Sequence, residues 1–334
     1  MINTHVILKK IRKLEGSTVF VISYLLAILL GGILLWLPFS NPKMKISYLD
    51  AVFTATSALC VTGLTVVDTG TAYSLIGQII ILILIQAGGL GITTFSVWLF
   101  LSLGRDIGFK SRLFMQSSFS TRPTDELRGL LRLIFLFTFL IEFLGAVILF
   151  VYWAFSFPWY RAAYLAVFHA VSAFCNAGFG LFPDNLVQFQ RSFTVSLTIA
   201  GLIILGGIGF PVAYELLGVY RKKKDGFRSR ISLHSRLVLL TTTVLILGGL
   251  FVLYGIEYND SLDRFPIHQG LLVAFFQSVT TRTAGFNTID LAALSNASLL
   301  VMIILMFIGA SPASCGAGSR PAPLPSWGGC SGTV

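Results

Sequence analysis

Charge is what this sequence has least of: Asp, Glu, Lys and Arg make up 11% of its 334 residues, and 14 are acids. Beside a hydrophobic content of 55%, that excludes an ordinary soluble domain and fits a polytopic membrane protein. Histidine and cysteine are equally rare, at 4 each, and none fall at a metal-ligand spacing. Cys60 and Cys175 read as small buried thiols. No set of side chains supports nucleophilic or acid–base catalysis, so the chain reads as a non-enzyme with no covalently bound cofactor. A small-residue cleavage site is also missing before Pro38, so the first apolar run reads as a retained helix, not a signal peptide.

A formal net charge of +10 could point to nucleic acid, but its distribution argues otherwise. Lys9, Lys10, Arg12 and Lys13 precede the first apolar run. Arg105, Lys110, Arg112, Arg122, Arg128 and Arg132 fill the second connection, and Arg221 to Lys224, Arg228, Arg230 and Arg236 the fourth. The positive-inside rule makes the N-terminus and both basic connections cytoplasmic. Anionic membrane lipid is a further partner for them.

Long apolar runs are what the sequence has in abundance. Spans are expected over 16–37, 74–103, 133–155, 192–220 and 237–254, with a sixth beginning at 294–308. Between them a shorter, more polar pattern occurs three times: AVFTATSALCVTGLTVVD at 51–68, AVFHAVSAFCNAGFGLFPD at 166–184 and AFFQSVTTRTAGFNTID at 274–290. With Gly63, Gly178 and Gly285 aligned, Phe53, Phe168 and Phe275 coincide, and Asp68, Asp184 and Asp290 fall just beyond the glycines. Each copy is expected to open with a short pore helix, over about 48–59, 164–174 and 270–281, and continue as extended backbone. Irregular backbone at membrane depth must be buried in protein or line a watery path. The fold class is therefore all-α: tandem helix–pore loop–helix repeats, three present and the third incomplete; the pseudo-fourfold axis expected for them is what the family resemblance given below implies. A basic N-terminus occupies 1–16 and repeat one 17–103, with its pore loop at 48–68. A cytoplasmic loop covers 104–132. Repeat two is 133–220 (pore loop 164–184), a basic loop 221–236, and repeat three 237–314 (pore loop 270–290).

A cation leaving water needs replacement oxygens, and backbone carbonyls supply them where the chain can turn them inward. Val61-Thr62-Gly63, Asn176-Ala177-Gly178 and Thr283-Ala284-Gly285 are the candidate filter strands. Pore helices aim their negative C-terminal ends at the same centre, and Asp68, Asp184 and Asp290 would ring the outer mouth. Ordinary turn glycines and loop aspartates are the competing account of any one copy. Arg282, where the other repeats carry cysteine, should point away from the path and tie to an acid or carbonyls. Glu142 is expected to pair with an arginine or bond across helices, Glu215 to be solvated or arginine-paired, and His169 to pack. Gly88-Gly89-Leu90-Gly91 and Gly206-Gly207-Ile208-Gly209 fall mid-span, where close helix packing is the favoured account.

The triple pattern, with TRTAGFNT in its third copy, resembles the Trk/Ktr/HKT superfamily of potassium transporters over about residues 15–314, and most of all the bacterial Ktr-type membrane subunit. The resemblance implies four repeats around one filter and Gly63 as a mark of potassium preference. It also implies potassium as the transported ion, with sodium stimulating uptake or accompanying it. Gly309, Ala310, Ser311 and Ser314 fall where the family has an intramembrane gate loop. A homodimer, a cytosolic nucleotide-binding ring of the RCK type and a bacterial plasma-membrane location are implied as well.

From Cys315 to Val334 apolar periodicity stops and Gly, Pro and Ser dominate. The tail reads as a shifted frame and as disordered, and a chain ending so is expected not to close a selective pore alone. A non-conducting subunit, and less favourably a secondary transporter, are the alternatives. The re-entrant segments all lie on one side, which argues against inverted repeats.

Overall fold

This computed structural model describes residues 16–42, 45–91, 124–224, 231–309 and Ser314. The expectations for the basic N-terminus, for 92–123, for 225–230 of the second basic loop, for Ala310 and Ser311 and for the tail lie outside those residues. Among the described residues all regular structure is helical.

The described residues form eleven α-helices, in order: α1 (Gly16–Trp36), α2 (Tyr48–Leu59), α3 (Thr69–Ala72), α4 (Leu75–Gly89), α5 (Thr124–Trp153), α6 (Trp159–Phe174), α7 (Phe193–Gly207), α8 (Phe210–Lys224), α9 (Leu233–Glu257), α10 (Ile267–Thr280) and α11 (Asn296–Ile308). Serine opens five of them. Ser47, Ser74, Ser192, Ser232 and Ser295 each accept the N–H three residues on, which satisfies one orphan donor of the first turn. Pro158 and Pro266 instead precede α6 and α10. Their fixed φ suits a helix entry, so these two helices start at Trp159 and Ile267, before the expected 164 and 270.

In each repeat a long outer helix packs on a short pore helix, as α1 on α2, α5 on α6 and α9 on α10. The first two inner helices then reach the next repeat, α4 touching α6 and α7 touching α10. The core lies where these meet, around Phe168, Phe174, Phe179, Phe276 and Phe286. Outward faces are apolar and exposed, with Leu26, Leu30, Phe139, Phe143, Val244 and Phe251 among them. Such faces are hard to reconcile with water and suit acyl chains. Ile134–Trp153 and Leu233–Glu257 are long and apolar enough to cross a membrane.

The inner spans depart from expectation. The fourth, read as one helix over 192–220, breaks at Ile208–Gly209, and its two halves meet at 95°. The second stops as a helix at Gly89, with Gly91 at φ +75°. Gly209 sits at φ +97°, conformations open to glycine and costly for other residues. Close packing holds as well. A Cβ at Gly88 would overlap the Leu59 carbonyl, one at Gly206 the Phe174 carbonyl, and one at Gly89 the Cys175 Sγ. The glycines thus let each inner helix cross the C-terminal end of a pore helix and then turn.

Candidate functional site

The pore helices end alike. Cys60 and Cys175 cap α2 and α6, donating back to Thr56 O and Val171 O, and Thr281 does the same for α10 with Gln277 O. From there the strands double back. Thr62 N donates to Ser57 O and Ala177 N to Ser172 O, both at 2.8 Å, and Ala284 N to Thr280 O at 2.9 Å. Repeat three has one residue more between helix end and glycine, and that residue is Arg282.

Two residues in each strand are left-handed. The glycines are at φ +81° (Gly63), +70° (Gly178) and +79° (Gly285), and Val61, Asn176 and Thr283, two residues earlier, are at +54°, +58° and +68°. Glycine was legible as the permissive residue; the second left-handed position was not. Val61 and Thr283 are β-branched, and such residues resist positive φ at a cost of about 1–3 kcal/mol. Side-chain bonds brace the second and third strands. Ser172 Oγ donates to Phe179 O at 2.8 Å and Thr280 Oγ1 to Phe286 O at 2.6 Å. Asn176, with its amide nitrogen oriented by its surroundings, donates to Ala173 O and Ile203 O at 3.1 and 3.2 Å.

The three glycines come together. A Cβ built on Gly63 would lie 2.8 Å from Ala177 O and 3.4 Å from Gly178 Cα; one on Gly178, 2.8 Å from Ala284 O and 2.9 Å from Gly285 Cα. One on Gly285 would sit 3.2 Å from Gly178 Cα and 3.9 Å from Gly63 Cα. Gly63 and Gly178 each therefore meet a carbonyl of the following repeat, in one rotational sense, and Gly285 meets the two glycines before it. Further ties close the walls: Leu186 N donates to Asn287 O at 3.1 Å, and Tyr164 OH to Gln78 Oε1 at 2.7 Å. Gln78, unnoticed in the sequence, also donates to Thr69 O, Gly70 O and Tyr73 O.

The aspartates have local work. Asp68 accepts from Gly70 N and Thr71 Oγ1 at the start of α3, and Asp290 from Ala292 N at a 3₁₀ turn. Asp184 is exposed and accepts from Gln188 Nε2 at 3.4 Å. Among the gate candidates, Gly309 ends α11 at φ +66°, ψ −156°, a region essentially reserved for glycine. Ser314 is described; Ala310 and Ser311 are not.

Two charged side chains have partners, or lack them, in ways the spacing did not specify. Arg282 is 6% exposed, and its Nε has no partner; among the described residues neither an acid nor a carbonyl ties it down. Glu215 is partly exposed and not arginine-paired; it accepts from Ser232 N, Ser232 Oγ and Ser235 Oγ, clamping α8 to the first turn of α9. Glu142 does bond across helices. Gln86 Nε2 donates to it at 3.3 Å, and the Cys175 thiol faces it at 3.9 Å, beside an open apolar groove of about 1150 Å³. His169 packs against Trp153 and Phe182, bridging Leu165 O (2.8 Å) and Leu181 N (3.3 Å).

Comparison with known proteins adds the following. The chain matches the TrkH family, described as cation transport protein, over residues 9–321. It is 40% identical over 304 residues to the Ktr system potassium uptake protein B of Bacillus subtilis, covering 90% of this chain and 67% of that protein. It is 36% identical over 323 residues to the potassium/sodium uptake protein NtpJ of Enterococcus hirae, covering 95% and 69%. The crystal structure of the potassium transporter TrkH from Vibrio parahaemolyticus superposes with a TM-score of 0.63 at 20% identity, over 89% of this chain and 58% of that one. The chain thus spans about two thirds of the length of these two sequence relatives, and the structural likeness speaks to fold alone.

Proposed function

The chain belongs to the TrkH family of cation transport proteins, and from that membership we propose that it forms walls of a potassium-uptake pathway through a membrane. The observation that carries the reading is the meeting of Gly63, Gly178 and Gly285, each preceded by a second left-handed residue. Strands folded this way hold backbone carbonyls toward one axis, where they can replace a cation's water. The C-terminal ends of α2, α6 and α10 stand beside the same strands, which favours a cation over an anion. The names of the Bacillus and Enterococcus relatives supply potassium, and the latter sodium as well.

In this reading Val61-Thr62-Gly63, Asn176-Ala177-Gly178 and Thr283-Ala284-Gly285 bind the ion, and Asp68, Asp184 and Asp290 concentrate cations at the mouth. The segment from Gly309 to Ser314 gates the path below. The word "system" in the name of the Bacillus relative supports a membrane subunit that works with other components. A homodimer on a cytosolic nucleotide-binding ring is the arrangement we propose, with sodium stimulating uptake and the N-terminus cytoplasmic.

One observation favours a second reading. A methyl group on Gly285 would touch both other glycines, so the three strands alone leave no room for an ion, and a fourth wall would have to part them. Uptake separates the readings. In a bacterium lacking its own potassium uptake, the chain and a form extended to the length of its relatives are compared for growth at low potassium. Uptake by the extended form only selects the non-conducting subunit for this chain; uptake by neither overturns the pathway. In whichever form conducts, Gly63→Ser should lower potassium-over-sodium discrimination about tenfold, and unchanged selectivity would remove Gly63 from the filter.

A further inference from the structure

Inner helix α4 and outer helix α5 both pack on pore helix α6 but scarcely on each other. Between them runs the open groove that Glu142 borders, of about 1150 Å³, a volume at the upper end of ligand clefts. Val167 lines it from α6, Ile83 from α4, and Leu136, Phe139 and Phe143 from α5. The Glu142 carboxyl is 4% exposed and turned to Gln86 and Cys175, so nearly all that the groove presents is hydrocarbon. Arg132 lines it too. That side chain is exposed, and among the described residues no acid pairs with it. Depth can be read along α5. Ile134–Trp153 is the membrane-crossing segment, so Arg132 stands just outside it, on the side of the second basic connection. Helical rise puts Glu142 about 15 Å deeper than Arg132, half of a hydrocarbon core of about 30 Å.

We propose that this groove is a site for an anionic phospholipid of the leaflet on the basic side, one acyl chain lying between α4 and α5 and the phosphate on Arg132. Left empty at membrane depth, the walls would forfeit their dispersion contacts, and water there would find too few polar partners. A chain one leaflet long reaches from Arg132 to the level of Glu142, where Gln86 and Cys175 already engage the carboxyl. The free guanidinium suits a phosphate, which it can hold through two N–H groups. Net negative charge on the lipid favours that pairing over a zwitterion. Such an occupant fills the space between repeats one and two, beside Cys175, the cap from which the second filter strand departs. The inference rests on the membrane reading of the chain and not on its conducting.

Photolabelling of the purified chain in a neutral detergent tests it, with phosphatidylglycerol carrying a diazirine in one acyl chain. The label should concentrate on Leu136, Phe139 and Phe143, and unlabelled phosphatidylglycerol should displace it about fivefold more effectively than phosphatidylcholine. Arg132→Gln should abolish that preference and leave the labelled positions unchanged. Val167→Trp, at a half-exposed position, should fill the groove and remove the label from it. Equal displacement by the two lipids overturns the proposal, as does a preference that survives Arg132→Gln. Label spread evenly over other apolar faces, such as those of Leu26 and Val244, overturns it too. So does a groove that takes no label, the outcome expected if a second copy of the chain covers it. Should Val167→Trp fail to fold, Arg132→Gln decides. No flux is read, so failure here leaves the pathway reading standing.

Discussion

Val61 shows how much a single position can hide. A β-branched residue in a stretch of Thr, Val and Leu argues for ordinary extended backbone, yet Val61 sits at φ +54°. What holds it there is tertiary: its side chain is buried, and the Thr62 N–H is bound to Ser57 O. Asp68 shows the reverse, a residue with two roles that can be separated. Its carboxylate caps α3, and Asn caps nearly as well as Asp. Asp68→Asn should therefore leave thermal stability within about 0.5 kcal/mol of wild type, while uptake at low potassium and low salt falls below wild type and the gap closes in high salt, which screens the wild-type carboxylate. Uptake unchanged at low salt would reduce Asp68 to a cap. Glu215 could not have been read from the sequence, because its partners Ser232 and Ser235 come from the start of the next helix.

Helix crossings separate the inner-helix glycines into two kinds. Gly206 lies against the Phe174 carbonyl, so Gly206→Ala must push the pore helix away, whereas Gly201, on the same helix, has nothing within 4 Å. Gly201→Ala should be neutral or stabilise by up to about 1 kcal/mol. Gly206→Ala should destabilise by about 2 kcal/mol or more, measured by thermal or denaturant unfolding in detergent. Equal effects would mean that the crossing is looser than described. The pore helices were legible in the sequence because Phe53, Phe168 and Phe275 recur in register with a glycine, and the first matches its expected bounds, Tyr48–Leu59. The helix breaks were not, since apolar periodicity runs straight through Gly206–Gly209 and only the neighbouring carbonyl explains the turn. The extra residue Arg282 was hidden too, because aligning the glycines conceals where α10 ends.

At the scale of the whole molecule, orientation is the open physical question that charge addresses. If the basic connections face the cytoplasm, a thiol-reactive, membrane-impermeant reagent applied to intact cells should modify Asp184→Cys and spare Lys223→Cys, with the pattern inverted in inside-out vesicles. The opposite labelling would turn the molecule over. The rotational packing of the glycines bears on something else, the timing of synthesis. Gly63 rests on Ala177 and Gly178, and Gly178 on Ala284 and Gly285, so no wall can settle until the following one has left the ribosome. At about 5–20 residues per second, the first strand would wait on the order of ten seconds with its carbonyls unanswered in the membrane. An insertion machinery that shelters polar backbone for that interval is, on this view, as much a requirement of the fold as the serine caps that open its helices.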